Sequence, residues 1–212
     1  MPIVSFVTQK GGSGKSTLAI NCAVVAAQAG RRVLILDMDA QRTAEVWASN
    51  RQAKTPDVMK IPPSELEKAL GVAEEMRFEW VLIDTPGQDS PGTIAAIRVA
   101  DLCVIPCRPS PADMHAITPT TDAVARLKRP AVVVLTQTPP RSYRIAEAGE
   151  ALGELLKVSP FNVVSRAVYQ DALGAGMGVT EFEPEGKAAE EMRELWKWIS
   201  QQAKRGTQSG KA

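Results

Sequence analysis

Along the chain, short apolar runs alternate with longer stretches in which apolar positions recur every three or four residues. Six runs read as strands: Ile3 to Val7, Val33 to Leu36, Val81 to Ile83, Leu102 to Ile105, Ala131 to Leu135 and Phe161 to Val164. Runs this short and this continuously apolar suit strands covered on both faces, because neither face has to meet water. Helical spacing predicts Lys15 to Ala29, stopped by Gly30, then Thr43 to Asn50, Ser64 to Glu75, Pro91 to Val99, Ala112 to Leu127, Ser142 to Leu156 and Glu185 to Lys204. Strands and helices in alternation, joined by right-handed crossovers, make an α/β fold: a doubly wound, mostly parallel sheet flanked by helices in three layers. Ligands in such folds sit at the carboxyl ends of the strands. A length of 212 residues with 44% hydrophobic content suits one domain, taken as 1–205, with 206–212 expected as a disordered tail.

Charge and cysteine content narrow the picture by exclusion. Lys and Arg number 25 against 24 Asp and Glu, so binding to a polyanion has to come from a local patch and not from the overall field. Cys22, Cys103 and Cys107 lie in apolar stretches and read as buried thiols in a reducing compartment. Cys103 and Cys107 share a strand face, yet no neighbouring His or further Cys completes a metal site. Met1-Pro2-Ile3 runs straight into a strand pattern without the basic and apolar regions of a signal peptide, and no apolar stretch reaches the ~18 residues of a membrane span. The expectation is a cytoplasmic protein with no membrane partner.

The candidate chemistry begins after the first strand, at Gln9-Lys10-Gly11-Gly12-Ser13-Gly14-Lys15-Ser16-Thr17, which opens a helix. Strand, glycine loop and helix in that order form a phosphate loop, because glycines let backbone N–H groups and a helix N-terminus close around phosphate oxygens. Lys15 then reaches the β- and γ-phosphates and Ser16 takes Mg²⁺. The usual pattern has a glycine where this chain has Gln9, and a second lysine, Lys10, follows it. Two more strands end in acids. Asp37 and Asp39 lie in Leu36-Asp37-Met38-Asp39-Ala40-Gln41, and Asp84 closes Trp80-Val81-Leu82-Ile83-Asp84-Thr85-Pro86-Gly87, the form of a Walker B segment that holds Mg²⁺. On the residues alone, Asp37 and Asp39 could instead cap the next helix, and Lys10 could be an exposed loop lysine.

Lys10-Gly-Gly-Ser-Gly-Lys-Ser-Thr17 resembles the deviant Walker A box of the ParA/MinD family of ATPases, and 37–41 resembles its Asp-x-Asp-Pro-Gln segment, with Ala40 in place of proline. The resemblance implies ATP/ADP and Mg²⁺ as cofactors and a homodimer that forms on ATP, with Lys10 crossing to the partner's phosphates. It further implies that Asp39 orients the attacking water, that Asp37 lies nearer the Mg²⁺, and that Thr136 and Gln137 form part of an adenine pocket. Thr136-Gln137-Thr138-Pro139 also lacks the Asn-Lys-x-Asp of guanine readers.

Compact partition ATPases without an N-terminal DNA-reading domain are the branch this chain resembles most. That branch implies partition or positioning of plasmid or chromosomal cargo, stimulation by a small ParB-like partner, and sequence-nonspecific binding of DNA phosphates. Arg166, in Ser165-Arg166-Ala167-Val168-Tyr169, is the first candidate for that contact, followed by Arg141 and Arg144 and then Lys204 and Arg205. The alternative is a relative that positions a non-DNA cargo or protein complex. A metabolic ligase is a third class, which would turn over only with an added substrate. A membrane-inserting C-terminal helix fits poorly: Ala188, Met192, Leu195, Trp196, Ile199 and Ala203 share one face, but Glu190, Glu191 and Glu194 on the other would repel anionic lipid.

Overall fold

The computed structural model describes residues 1–88 and 90–209. Seven parallel strands run in the spatial order β3-β2-β4-β1-β5-β6-β7. They are β1 Ile3–Phe6, β2 Val33–Asp37, β3 Asp57–Lys60, β4 Trp80–Asp84, β5 Leu102–Cys107, β6 Ala131–Leu135 and β7 Lys157–Val158. The helices are α1 Lys15–Gln28, α2 Thr43–Ser49, α3 Leu66–Glu75, α4 Pro91–Val99, α5 Pro111–Ala116, α6 Thr118–Arg126, α7 Arg144–Gly153, α8 Val168–Gly174, α9 Val179–Phe182 and α10 Lys187–Ser209. Strand β1 lies between β4 and β5, where the winding of the sheet reverses direction, so the loop leaving β1 opens into the crevice such a reversal creates.

Strand β2 shows why the runs are continuously apolar. Its side chains alternate between two cores, Val33 and Ile35 on one face, Leu34 and Leu36 on the other. The first core is closed by α1 and α10; Ala188, Met192, Leu195, Trp196, Ile199 and Ala203 are all buried, and Trp196 meets Trp80 edge-on at 4.9 Å. The apolar stripe of α10 therefore packs on the protein's own core. The second core is closed by α3, α4, α6 and α7 and takes in both Cys103 and Cys107. Among the described residues, no helix is long and apolar enough to cross a membrane.

The structure departs from the sequence pattern at five places, each with a local cause. The helix expected over Ala112 to Leu127 is two, α5 and α6, because Pro119 lacks the N–H a continuous helix needs. The final strand is β7, ahead of Phe161 to Val164. Ser159 and Pro160 turn the chain there, with the Ser159 hydroxyl donating to the Phe161 carbonyl at 2.9 Å, and Val164 keeps only an isolated bridge to Thr138. Strand β3 has no apolar run because it is an exposed edge strand. Helices α8 and α9 were not anticipated. Finally, the expected tail starts too early: Gly206 to Ser209 continue α10, and Gly206 lies so close to the Asp101 carbonyl that a Cβ there would collide with it. Residues 210–212 fall outside the described residues.

Candidate active site

The glycine loop follows β1 and ends at Gly14, whose φ of 101° is a left-handed conformation that a side chain would strain, and α1 begins at Lys15. Side chains from three directions hold the loop by its carbonyls. Lys15 Nζ donates to the Lys10 carbonyl at 3.1 Å, Thr136 Oγ1 to the Ser13 carbonyl at 2.7 Å, and Gln137 Nε2 to the Gly12 carbonyl at 2.8 Å. Arg108, the residue after β5, also donates to the Gly12 carbonyl. Among the described residues, the N–H groups of Gly11 to Gly14 have no backbone acceptor. They are the donors a phosphate loop keeps for its ligand.

Strand pairing brings the acids to this loop. Asp37 and Asp84 are register partners at the ends of β2 and β4, and Asp84 also pairs with Phe6 at the end of β1. Asp84 is wholly buried, and among the described residues neither carboxylate oxygen makes a well-formed hydrogen bond to protein. Burial pushes its carboxyl up to about 7; Ser16 and Lys15 oppose the shift, while Asp37 and Asp39 add to it. Lys15, only 5% exposed, has its ammonium pKa lowered by the same burial, with Asp84 and Asp39 pulling the other way. A buried carboxylate with no well-formed hydrogen bond among the described residues, facing a buried ammonium and the Ser16 hydroxyl, fits a site completed by a cation and a phosphate chain. Gly87, in the segment after β4, packs against the loop so closely that a Cβ would sit 2.9 Å from Gly11 Cα.

Two adjoining cavities, about 470 and 460 Å³, share Gly12, Gly14, Thr17, Gln137 and Gln170. One carries Lys15, Ser16, Asp39, Gln41 and Gly87, the polar end. The other runs along Thr136 and residues 163–167 to Tyr169. Glu191 of α10 shapes this second end, accepting from Val164 N–H at 3.3 Å, Tyr169 Oη at 3.4 Å and Arg166 Nη2 at 2.6 Å. A nucleotide with its phosphates on the loop and its base beside Thr136 matches this division.

The structure thus brings together Gly11, Gly12, Ser13, Gly14, Lys15, Ser16, Thr17, Asp39, Asp84, Thr136 and Gln137. Three of the expected residues have partners within the chain. Asp37 accepts from the N–H groups of Asp39 at 3.0 Å, Ala44 at 3.0 Å and Glu45 at 3.1 Å, so here it caps α2. Lys10, 36% exposed, forms a 2.5 Å ion pair with Asp113 of the same chain. Burial raises the Asp113 carboxyl, but the hydrogen bonds from Lys10 and Ser110 outweigh it and leave the pKa below the ordinary value. Arg166 is paired with Glu191, whereas Arg141 and Arg144 are exposed. Sequence reading missed Arg108, Gln170 and Glu191.

Fold and site define a P-loop nucleotide-binding protein with an additional lysine in the loop. The family described as "ATPase MipZ" matches residues 2–156. The carboxysome distribution protein A of Gloeobacter kilaueensis is 31% identical over 208 residues, covering 96% of this chain and 94% of its own. Its namesake in Halothiobacillus neapolitanus is 30% identical over 198 residues, covering 88% and 90%. The septum site-determining protein MinD of Pyrococcus horikoshii, solved with Mg-ADP, superposes with a TM-score of 0.76 at 18% identity, over 97% of this chain and 98% of that one. The chain belongs to the MipZ family of ATPases, within the wider ParA/MinD group.

Proposed function

We propose that this protein is an ATP-switched positioning ATPase whose cargo is a protein assembly, working as a homodimer that forms on ATP and is dissolved by hydrolysis. The observation that carries the nucleotide reading is the buried Asp84 carboxylate, which makes no well-formed hydrogen bond among the described residues and is held beside Lys15 and Ser16 at the mouth of the glycine loop. The likeness to carboxysome distribution proteins over nearly the whole chain supports a protein cargo.

The roles follow from position. The N–H groups of Gly11 to Gly14 bind the phosphates and Lys15 neutralises the oxygen that gains charge as the terminal phosphoryl leaves. Asp39, half-exposed at the polar end of the cavity, orients the attacking water. Ser16 and Asp84 are the residues that would hold Mg²⁺, whose contribution is to neutralise the phosphate oxygens, with Asp37 behind them fixing α2. Thr136 and Gln137 lie beside the base. Lys10 leaves Asp113 and reaches the partner's phosphates, so pairing and nucleotide state are coupled. A protein that accelerates hydrolysis, bound to the cargo, resets the cycle.

A second reading, with DNA as the surface over which cargo moves, is favoured by one observation: Arg141 and Arg144 lie exposed at the start of α7, on the same edge of the sheet as the glycine loop.

Light scattering with ADP and with ATP tests the main reading. Asp39→Ala with ATP should double in mass and stay paired, while Lys10→Ala should bind ATP and remain single. Pairing of Lys10→Ala at wild-type concentrations would refute the crossing lysine.

A further inference from the structure

Arg108 belongs to none of the motifs in the sequence, yet it touches the loop. It leaves the end of β5, the strand next to β1, and its guanidinium donates to the Gly12 carbonyl, which also takes the 2.8 Å bond from Gln137. Gly12 has φ +69°, and a Cβ there would stand 3.2 Å from Arg108 Nη2, so the arginine and the backbone are in close approach. Among the described residues, Arg108 Nε is buried without a hydrogen-bond partner, and the side chain lines the larger of the two cavities.

The planar trans peptide gives this contact a consequence. Within one peptide unit the C=O and the following N–H point in opposite directions. Holding the Gly12 carbonyl towards Arg108 and Gln137 turns the Ser13 N–H the other way. Holding the Ser13 carbonyl on Thr136 does the same for the Gly14 N–H, and the bond from Lys15 to the Lys10 carbonyl does it for the Gly11 N–H. The loop is thus held from outside by its acceptors, and these contacts set where its donors point. Three of these four anchors are neutral or belong to the loop's own lysine; Arg108 is the one cation supplied from another strand.

We propose that Arg108 is a positioning residue for polyphosphate binding: by fixing the Gly12 peptide it sets the direction of the loop's N–H donors. The inference rests on the nucleotide reading above. Binding of Mg-ADP and of adenosine to wild type, Arg108→Ala, Arg108→Met and Arg108→Lys separates the two, since ADP binding needs no dimer. Wild type that binds neither ligand would remove the nucleotide reading itself. With wild type binding ADP, Arg108→Ala and Arg108→Met should each lose about tenfold in ADP affinity, the scale of one charge-assisted hydrogen bond. Arg108→Lys should recover to within about threefold, because one donor suffices to hold a carbonyl. Adenosine, which has no phosphate, should bind all four alike. Equal losses for adenosine and ADP, or ADP affinity unchanged in both the alanine and methionine variants, would overturn the proposal. If Arg108→Ala fails to melt cooperatively, Arg108→Gln, which keeps an amide donor, should show the same selective loss at smaller size.

Discussion

At the scale of single residues, the site is organised by carbonyls and carboxylates that are held in place. Asp113 illustrates the cost of this order: its 2.5 Å pair with Lys10 occupies the cation that the proposed pairing between chains would use. Asp113→Asn keeps the shape and the contact with Ser110 but removes the charge. ATP-dependent pairing, followed by light scattering across a concentration series, should then begin at a several-fold lower protein concentration, with ADP affinity unchanged. The factor is modest because Lys10 is more than a third exposed and solvent screens the pair. A concentration dependence identical to wild type would mean that the ion pair does not restrain Lys10. The loop, Asp39 and Asp84 were legible in the sequence because backbone donors at a helix start need glycines in a fixed order, and strand-end acids follow continuous apolar runs. Arg108 and Glu191 were not, since each reaches the site from a distant segment and no local spacing marks it. Gln137 lay between: its position was legible, but not the left-handed φ of 50° that accompanies its bond to Gly12.

At the scale of elements, the segment from α8 to α9 joins the nucleotide cavity to α2. Arg51, just after α2, donates to the Gly176 carbonyl at 3.0 Å and to Glu181 at 2.7 and 2.6 Å, and its guanidinium stacks 4.8 Å over Trp47. Trp47 Nε1 donates to the Met177 carbonyl at 3.1 Å, while Asn21 of α1 accepts from Val179 N–H at 2.8 Å. The Glu181 carboxyl is raised by burial but lowered more by Arg51 and the Gly178 N–H, so its folded pKa lies below the ordinary 4.5. A depressed carboxylate stabilises the fold above its unfolded pKa and loses that contribution as pH falls through the folded value. Glu181→Gln should therefore cost about 1–3 kcal/mol at pH 7. The difference from wild type should shrink as pH drops below about 4.5, measured by denaturant unfolding at both pH values. A gap that stays constant with pH would assign the loss to packing. These short helices escaped the sequence reading because hydrogen bonds to other elements define their ends, while β3 escaped it because an edge strand needs no apolar run.

At the scale of the whole molecule, a formal charge of +1 gives no long-range attraction to a polyanion, so any hold on DNA depends on where the cations lie. Arg166 is neutralised by Glu191, whereas Arg141, Arg144, Lys204 and Arg205 are exposed; Arg141 and Arg144, on the glycine-loop edge of the sheet, carry the second reading. If DNA is the surface, ATP-loaded Asp39→Ala should retain a random duplex at about 50 mM salt and release it by about 200 mM. Adding Arg141→Glu and Arg144→Glu should abolish the retention. An absence of binding even at low salt, read by gel shift or anisotropy, would restrict positioning to protein surfaces. The layered architecture was legible in outline from alternating strands and helices, and the central place of β1 follows from the winding reversal that seats the glycine loop.

The seating of α10 against α1 also sets an order of events during synthesis. Helix α1 and β1 emerge from the ribosome early, but Met192, Leu195 and Ile199, which close their side of the core, are made after all seven strands. Glu191, which holds Val164 and Arg166 at the second end of the cavity, arrives with them. A nascent chain therefore carries its phosphate loop long before the α10 side of the core and the Glu191 contacts beside the cavity can form.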